Sequence, residues 1–446
     1  MSTALVKYSS SLLRGWEVLR HLRDLEKSQW LPLEEIQRIQ LKKLRTLIKH
    51  AYDNVPFYHQ KFKEAGIKPE DVRTVADLQK LPITTKNELK ACTPDKTVAD
   101  NYDVEKLKRG QTGGTTGKQF MYFKDKKTFH HELAALCWFR SWYGSFGFKH
   151  AFFRFFPYHI PWSKEFKSFL TGWLICDRSS QTLHKYAQWI KRFKPRVLEG
   201  SPVGFYVLAK FLKKKEFPDI DLSIVLSTSE TLLSFQRQAI ESAFNCRVFN
   251  HYGSNEICSI AQECEEHTGL HVNAEDRIVE FVKGGQVVSS GEMGEIVITD
   301  LENYAMPFIR YNIKDVGVPT DGLCSCGRGL PLIKEVNGRV WDLMVSSDGR
   351  FIPGDVFARF IIFKDHKWMQ QFQVIQPSQK EISIKTVKSP EGGSENLELI
   401  LRKIREHLGE VELEVEFVES ITPPPSGKHR FIISEASHKF FSQAEK

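Results

Sequence analysis

The sequence predicts a multidomain α/β protein: a large N-terminal domain of mainly parallel αβ subdomains with a barrel-like antiparallel part, and a small α+β C-terminal lid domain. Three observations indicate this class. Short apolar segments alternate with amphipathic helical patterns before residue 254, paired strand patterns follow residue 275, and the C-terminal quarter combines strand patterns with one amphipathic helix. The length of 446 residues allows about two to four structural units, and 41% hydrophobic residues suffice for a large core.

The N-terminal part is predicted to consist of helices and parallel strands. A helix is predicted over 33–52 because its apolar residues recur on one stripe, namely Ile36, Ile39, Leu44, Leu47, Ile48 and Ala51. A second helix is predicted over 126–143. Strand-like segments at 223–229 and 246–253 flank a helical pattern at 234–244, and this alternation is typical of a parallel sheet covered by helices.

The pattern changes beyond residue 275. The segments IVEFV at 278–282 and QVVSS at 286–290 flank Gly284-Gly285, which is a strong hairpin signal. A further strand, GEIVITD, is predicted at 294–300. The sequence therefore predicts antiparallel, barrel-like structure in this part of the N-terminal domain.

The C-terminal residues are predicted to form a separate small unit. The segments QFQVIQ and EISIKT form a candidate hairpin around Pro377, and VELEVEFV at 411–418 alternates as a half-buried strand does. Between them, one helical stripe is formed by Leu397, Ile400, Leu401, Ile404 and Leu408. We therefore divide the chain into an N-terminal domain, 1–338, and a mobile C-terminal domain, 339–446.

Charge and cysteine content limit the possible partners. Lysine plus arginine number 63 and aspartate plus glutamate 55, a formal charge of +8. This surplus favours anionic small molecules or a membrane surface only weakly, and no nucleic-acid reader motif accompanies it. For the basic face of 33–52, solvated packing is favoured over membrane binding. We expect no secretory signal in 1–14 and no transmembrane helix, and eight cysteines without a signal indicate a reducing, cytoplasmic location.

The strongest local signal is QTGGTTGKQF at 111–120. Glycines let backbone N–H groups approach a phosphate, and the threonine hydroxyls add further donors. The alternative is a flexible surface turn. A P-loop of the Walker type is not matched, because Thr112 stands where the pattern needs glycine and Gln119 where it needs serine or threonine.

This loop resembles the phosphate loop of the adenylate-forming superfamily, which includes the acyl-CoA synthetases, luciferases and peptide-synthetase adenylation domains. Four further segments match that superfamily's motifs in the same order. They are HYGSNE at 251–256, PFIRYNIKD at 307–315, NGRVWD at 337–342 and PPPSGKHRF at 423–431. The resemblance covers roughly 110–431, and five ordered motifs are more specific than any single one.

Within the superfamily, the sequence is most similar to the phenylacetate–coenzyme A ligase branch, including CapK-type proteins of capsular polysaccharide clusters. The segments that indicate this branch are TGGTTGK in the loop, ECEEHTGLH at 263–271, CSCGRGLP at 324–331 and HAYDNVPFYHQKF at 50–62. The resemblance implies ATP and a carboxylic acid as substrates, and coenzyme A as the acyl acceptor.

The resemblance also implies a nucleotide site. The phosphates of ATP would be held by Thr112, Gly113, Gly114, Thr115, Thr116, Gly117 and Lys118. The adenine pocket would be lined by Asn250, Tyr252 and Gly253, together with the Ser229-Glu230 turn. Asp315 would accept hydrogen bonds from both ribose hydroxyls, which its two carboxylate oxygens allow.

Three residues would act in catalysis. Glu256 would bind Mg²⁺, and Lys428 would stabilise negative charge as the substrate carboxylate attacks the α-phosphate. Arg339 would lie near the ribose or the phosphates at the domain boundary. Each site residue also has an ordinary alternative: Asp315 as a turn residue, Glu256 as an acid at a helix start, and Lys428 as a solvated loop lysine.

Two motifs depart from the family pattern. The family usually has glycine directly before the ribose aspartate, whereas here Lys314 precedes Asp315. The family also usually has aspartate two residues after the Gly-Arg arginine, whereas here Trp341 stands there and Asp342 follows. The departures bear on the swing between adenylating and thiol-transferring conformations more than on adenylation.

A second group of residues resembles a metal site. Thiolates and imidazole suit tetrahedral Zn²⁺. The resemblance to the phenylacetate–coenzyme A ligase branch also implies a structural zinc, because some members of that branch carry one on a similar Cys…His…Cys-x-Cys pattern. The predicted ligands are Cys264, His271, Cys324 and Cys326, with Cys258 and His267 as substitutes. The alternative is that these are reduced, unliganded cysteines.

The sequence thus predicts an acid–thiol ligase that forms an acyl-AMP and pyrophosphate and then transfers the acyl group to coenzyme A. One alternative is a transferase that passes the acyl group to an amine or a sugar. The other is a nucleotide-binding relative without turnover. An aromatic segment, 152–162, is assigned to core packing rather than to the wall of the acyl pocket.

Overall fold

The computed structural model describes most of the chain. The described residues are 15–112, 120–143, 150–155, 173–176, 180–214, 222–339, 343–353, 369–388, 397–421 and 432–437. Within them the fold class predicted from the sequence is confirmed, because a large mixed sheet with covering helices is followed by smaller sheets.

The described helices follow the predicted amphipathic patterns closely. In chain order they are α1 Trp16–Ser28, α2 Leu33–Asn54, α3 Pro56–Glu64, α4 Lys86–Cys92, α5 Lys126–Ser141, α6 Ser180–Phe193, α7 Pro202–Lys214, α8 Ser234–Phe244 and α9 Leu397–Leu408. Local capping defines two starts that matter for the site. Thr85 and Glu88 form a capping box before α4, and the Asp125 carboxylate accepts a hydrogen bond from the Thr128 backbone N–H (2.7 Å) at the start of α5.

The strands of the N-terminal half include a parallel group at the centre of the large sheet. The first ten strands are β1 Thr84–Thr85, β2 Lys108–Gln111, β3 Met121–Lys124, β4 His150–Phe155, β5 Trp173–Cys176, β6 Val197–Gly200, β7 Ile224–Ser227, β8 Arg247–Gly253, β9 Ser259–Glu263 and β10 Leu270–Val272. Strands β5, β4, β6, β7 and β8 pair in that order and are parallel. Helices α6, α7 and α8 cover one face of this group with a buried apolar cluster.

The antiparallel strands continue the same sheet. They are β11 Arg277–Lys283, β12 Gln286–Val287, β13 Gly294–Asp300, β14 Tyr311–Thr320 and β15 Leu332–Arg339. The predicted hairpin is confirmed, since β11 pairs antiparallel with β12 across Gly284 and Gly285, which both have positive φ. The described strands run as an open path from β12 through β10 to β5, so the barrel-like form expected here is not confirmed.

The C-terminal residues form a second sheet with its own core. The remaining strands are β16 Leu343–Val345, β17 Phe351–Pro353, β18 Met369–Gln376, β19 Glu381–Lys388, β20 Glu412–Phe417 and β21 Ile432–Ser434. The hairpin predicted around Pro377 is present as β18 and β19, and α9 buries Ile400, Ile404 and Leu408 against their sheet. Phe235 of α8 belongs to the same buried cluster, so this unit packs on the larger one.

Helix α1 is fastened to the large domain by buried charges. His21 bonds Asp276 (2.9 Å) and stacks on the His131 ring at a centroid distance of 3.9 Å. Lys43 of α2 bridges Asp276 (3.3 Å) and Glu302 (2.6 Å). His21, Lys43, His131 and Glu302 border a small cavity of about 220 Å³. Lys43 of the predicted helix is therefore a partly buried ion-pair partner, not part of a solvated face.

The His21–Asp276 pair should make stability depend on pH. Burial alone would lower the pKa of His21, but attraction by Asp276 outweighs it and raises that pKa above its ordinary value. The stabilising contribution is therefore complete below the unfolded pKa of about 6.5 and is lost as pH rises through the folded pKa. We expect the denaturant concentration at the unfolding midpoint to decrease as the pH is raised from about 6 to about 9. This decrease should be smaller in His21→Gln.

The control for this measurement is His59→Gln, on the exposed surface of α3. It should keep the wild-type pH dependence. An unchanged slope in His21→Gln would contradict the assignment.

No described helix combines the length and the apolar character that crossing a bilayer requires.

Candidate functional site

The site lies at the carboxyl ends of the central parallel strands. Gly200 and Ser227 are the last residues of β6 and β7, and Asn250 in the middle of β8 is in register with them. The Ser229-Glu230 turn follows β7, and Ser229 has a φ of +75°, which non-glycine residues rarely adopt. Ligands of open α/β sheets bind outside the carboxyl ends of the parallel strands. The predicted adenine residues therefore share the expected edge.

Tyr252 joins the end of β8 to the neighbouring antiparallel strands. Its hydroxyl donates a hydrogen bond to Asp315 Oδ2 (2.9 Å). Gly253 follows, and a side chain there would meet the Cys258 carbonyl oxygen at 1.9 Å, so only glycine fits. Asp315 lies within β14, so the alternative that it is a turn residue is wrong. The predicted adenine and ribose residues are thus brought together across 63 residues of sequence.

The departure at Lys314 is accommodated by a bulge. The pairing of β13 with β14 is irregular between Asn312 and Val316, and Lys314 has a φ of +65° there. The Asn312 side chain accepts a hydrogen bond from the Lys314 backbone N–H (2.9 Å). A lysine therefore occupies a left-handed position of the kind that usually favours glycine. The backbone before Asp315 keeps a glycine-like geometry without the glycine.

Arg339 is placed beside the ribose aspartate by strand register. Its Cα pairs with that of Asp315 between β15 and β14. Its neighbours 340–342, which include Trp341 and Asp342, lie outside the described residues. The backbone position agrees with the role predicted for Arg339 at the domain boundary.

Glu256 lies in a tight turn between β8 and β9, so the alternative that it begins a helix is wrong. Hydrogen bonds between Ser254 and Ile257 close the turn. The Glu256 side chain is 4% exposed, its Oε1 accepts a hydrogen bond from the Tyr311 hydroxyl (2.9 Å), and the Lys86 ammonium lies 3.7 Å from the same oxygen. Among the described residues, none donates a hydrogen bond to Oε2. Carboxylate oxygens such as this one are preferred ligands of hard cations.

Tyr311 and Lys86 were not predicted as site residues from the sequence. Tyr311 stands inside the quoted block 307–315, but its contact with Glu256 spans 55 residues and has no local signal. Lys86 begins α4 directly after the capping residue Thr85, which predicts a helix start and nothing about Glu256. Only the tertiary fold unites these three side chains.

The glycine- and threonine-rich loop is carried by a hairpin. Strands β2 and β3 pair antiparallel, and the Thr112 backbone N–H donates to the Phe120 carbonyl oxygen (3.0 Å) at the base of the loop. Thr112 Oγ1 is buried and has no hydrogen-bond partner within the described ranges. The residues 113–119 lie outside those ranges, as does Lys428. The two flanks of this segment, Thr112 and Phe120, are thus held side by side.

The predicted metal ligands converge. Cys264, His271, Cys324 and Cys326 each offer an atom, and these four atoms all lie within 4.8 Å of one another. The Cys264 and Cys324 sulfurs are 3.5 Å apart, and Cys326 Sγ is 3.4 Å from His271 Nε2. Ligand atoms about 2.0–2.3 Å from a tetrahedral zinc lie about 3.3–3.8 Å from one another. The four side chains therefore fit a closed zinc site.

The electrostatics of this cluster differ from ligand to ligand. Burial lowers the pKa of His271 to about 4, so its imidazole is neutral, as a metal ligand must be. Burial also raises the pKa of Cys264 to about 12. Burial alone would raise the pKa of Cys324 too, but hydrogen bonds from Thr268 and from the Cys326 backbone lower it. A bound cation would offset the free-energy cost of ionising the buried cysteine thiols that bind it.

The predicted substitute ligands are not part of the cluster. His267 Nδ1 is 3.2 Å from Glu263 Oε2, and its ring stacks on Phe249. Cys258 is partly buried directly before β9, near Lys124 and Glu132, and desolvation raises its pKa to about 11. All cysteines with described side chains are free thiols, as the predicted absence of disulfides requires.

Comparison with known proteins agrees with these motifs. A family model described as the CapK C-terminal domain matches residues 344–435. The phenylacetate-coenzyme A ligase of Pseudomonas putida is 26% identical over 362 residues, covering 78% of this chain and 81% of that enzyme. Protein CapK of Staphylococcus aureus is 24% identical, covering 94% of this chain and 92% of CapK.

A solved structure has the same fold. It is 2-hydroxyisobutyryl-CoA ligase in the postadenylation state in complex with R3-HIB-AMP, with a TM-score of 0.73 and 18% identity, covering 94% of this chain and 93% of that one. Together with the sequence relatives, this likeness confirms the resemblance predicted from the sequence.

Proposed function

We propose that this chain, which is related to the phenylacetate–coenzyme A ligases and to CapK over most of its length, is an ATP-dependent acid–thiol ligase. It adenylates a carboxylic acid, releases pyrophosphate and transfers the acyl group to coenzyme A. The observation that carries this proposal is that two hydrogen bonds join the predicted motifs 251–256 and 307–315, from Tyr252 to Asp315 and from Tyr311 to Glu256.

In the adenylation step, a carboxylate oxygen of the substrate attacks the α-phosphorus of ATP, and the bond from that phosphorus to the bridging oxygen breaks. Asp315 orients the ribose, and the loop 112–118 holds the phosphates through backbone N–H groups. Glu256 supplies a carboxylate oxygen for Mg²⁺, which neutralises triphosphate charge when bound. Lys428 stabilises charge on the α-phosphate.

The test of the proposal is ATP–pyrophosphate exchange with a panel of aromatic, fatty, hydroxy and amino acids. Exchange that depends on one class of acid would support adenylation. Tight ATP binding without exchange for any acid would favour a nucleotide-binding relative without turnover.

Tyr252→Phe should weaken ATP binding specifically. The substitution removes the hydroxyl that donates to Asp315 but keeps the ring. A hydrogen bond to a charged group contributes about 1.5–3 kcal/mol, part of which water restores at a site open to ligand. We expect the KM for ATP to rise about tenfold, with kcat changed less than about threefold. Tyr206→Phe, in α7, is the control; an unchanged KM in Tyr252→Phe would contradict the role.

A second candidate concerns the acyl acceptor. The likeness to CapK and the match to its C-terminal domain favour an amine or a sugar hydroxyl in polysaccharide assembly as an alternative to coenzyme A. Product analysis of the same reaction with and without coenzyme A separates the two. Acyl-AMP that accumulates until a thiol is added supports the ligase.

The proposal includes three finer points. The four ligands Cys264, His271, Cys324 and Cys326 hold a structural Zn²⁺, which their mutual distances support. The boundary between the two domains falls at 338/339, at the end of β15, and the residues from 339 onward form the mobile lid. The protein is cytoplasmic, which its free thiols support.

A further inference from the structure

Lys124 is a buried lysine with an unusual set of contacts. It is the last residue of β3 and is only 6% exposed. Its ammonium contacts the Glu132 carboxylate of α5 and lies 3.3 Å from the backbone carbonyl oxygen of Asn255. Lysine is almost never buried unless it is paired, and a buried ion pair contributes little net stability relative to apolar residues. The pair therefore requires an explanation other than stability.

The contacts of Lys124 join two segments of the proposed site. On one side, β3 is the strand that leaves the loop 113–119, and Phe120 at its start lies under the Lys86 ammonium at 5.5 Å. On the other side, Asn255 directly precedes Glu256. One ammonium thus connects the strand that carries the phosphate loop to the turn that carries the proposed Mg²⁺ ligand.

The turn around Glu256 has little freedom to find another position. Gly253 lies against the Cys258 carbonyl oxygen, and the Ser254 backbone N–H donates to the Ile257 carbonyl oxygen (2.9 Å). The Asn255 carbonyl oxygen accepts its hydrogen bond from Lys124, across 131 residues of sequence. Loss of that donor would release the peptide group next to Glu256.

Lys124 keeps its charge in this environment. Burial alone would lower the pKa of Lys124, but attraction by the Glu132 carboxylate outweighs burial and raises that pKa. Glu132 is itself only 7% exposed and lies on α5, whose start is capped by Asp125. A rigid helix therefore supplies the counter-charge that holds the ammonium in place.

We infer that Lys124 is a positioning residue for the adenylating site: it holds the turn that carries Glu256 against β3 by donating to the Asn255 carbonyl, with Glu132 as its counter-charge. The inference rests on the proposed function, because it assigns Glu256 the role of Mg²⁺ ligand. Misplacement of a reacting or binding group by about 1 Å can cost about a hundredfold in rate.

The experiment measures how strongly Mg²⁺ increases the affinity for ATP. The ATP dissociation constant is determined by calorimetry with and without saturating Mg²⁺, in the full-length protein. In Lys124→Met we expect the gain from Mg²⁺ to fall at least about tenfold, with ATP binding without Mg²⁺ changed less than about threefold. Lys124→Arg, which can donate to both partners, should retain most of the gain.

A double variant separates positioning from stability. Lys124→Met alone leaves Glu132 buried without a counter-charge, whereas Lys124→Met with Glu132→Met removes both charges and should recover much of the stability. The double variant should still lack the Mg²⁺ effect, because the donor to Asn255 is absent. If it regains both stability and the Mg²⁺ effect, Lys124 is only structural and the inference is overturned.

The matched control is Lys43→Met, which breaks another lysine–carboxylate contact, in which a partly buried lysine pairs with the buried carboxylates of Asp276 and Glu302. It should lower the unfolding midpoint and leave the Mg²⁺ effect unchanged. An equal loss of the Mg²⁺ effect in Lys43→Met would also overturn the inference. The absence of pyrophosphate exchange in the wild type, with the Mg²⁺ effect intact, would contradict the proposed function and leave the positioning role supported.

Discussion

Removal of the proposed zinc should lower the thermal midpoint of this protein by about 10 °C or more. The ligands come from two distant segments, since Cys264 and His271 flank the turn between β9 and β10, while Cys324 and Cys326 lie between β14 and β15. A structural zinc contributes several kcal/mol to folding, and for large domains each kcal/mol corresponds to about 2–4 °C. Without the metal, the cysteine and histidine side chains no longer cross-link these two segments.

The consequences should extend to the N-terminal helices. Trp142 packs edge-on against the His271 ring at 5.6 Å, and the Arg328 guanidinium lies between Trp142 (4.1 Å) and Trp30 (5.0 Å). The Gly329 backbone N–H donates to the Gln29 carbonyl oxygen (2.9 Å) just beyond α1. Chelation should therefore change tryptophan fluorescence as well as the midpoint.

The measurement is zinc content by mass spectrometry, together with thermal unfolding before and after chelation. Cys324→Ser should lose both the metal and the stability. Cys92→Ser, at the end of α4 and away from the cluster, is the matched control. The prediction is contradicted if the wild-type protein, expressed with zinc present, contains no zinc and its thermal midpoint does not change on chelation. The cysteines would then be reduced and unliganded.

Regular local patterns accounted for much of the fold. The stripe over 33–52 became α2, the stripe from Leu397 became α9, and the Gly284-Gly285 signal became a hairpin, because each depends on the periodicity of one element. The continuous pairing of β15 with β10 could not be read from the sequence. It joins the antiparallel and parallel strands into one sheet across a long separation, and no local pattern encodes it.

The candidate site shows the same division. Ordered motifs identified Tyr252, Glu256 and Asp315 as candidates, and the structure then brought Tyr252 and Asp315 into contact. The supporting side chains Lys86 and Lys124 carry no motif, since each acts through a contact made by the tertiary fold. The glycine missing before Asp315 seemed a departure from the family. The positive φ of Lys314 makes this departure from the motif less important, because a different residue retains the backbone conformation.

Lys428→Ala should have the largest effect on the adenylation half-reaction. The proposed role of Lys428 is to stabilise negative charge that develops at the α-phosphate during attack by the carboxylate. Removing one such preorganised donor typically costs about 10²–10³ in kcat. We therefore expect ATP–pyrophosphate exchange to fall by that factor, with ATP binding changed less than about tenfold and the unfolding midpoint unchanged.

The second half-reaction provides the discriminating control. When a synthetic acyl-AMP is supplied, no attack at phosphorus is required, so acyl transfer to coenzyme A should be retained within about tenfold in Lys428→Ala. Lys403→Ala, which removes an exposed lysine of α9 that pairs with Glu406, should leave both half-reactions unchanged. A uniform loss of both half-reactions would indicate a damaged C-terminal unit instead of a missing charge. Unchanged exchange in Lys428→Ala would remove this lysine from the mechanism, because a group that stabilises the transition state cannot be lost without a change in rate.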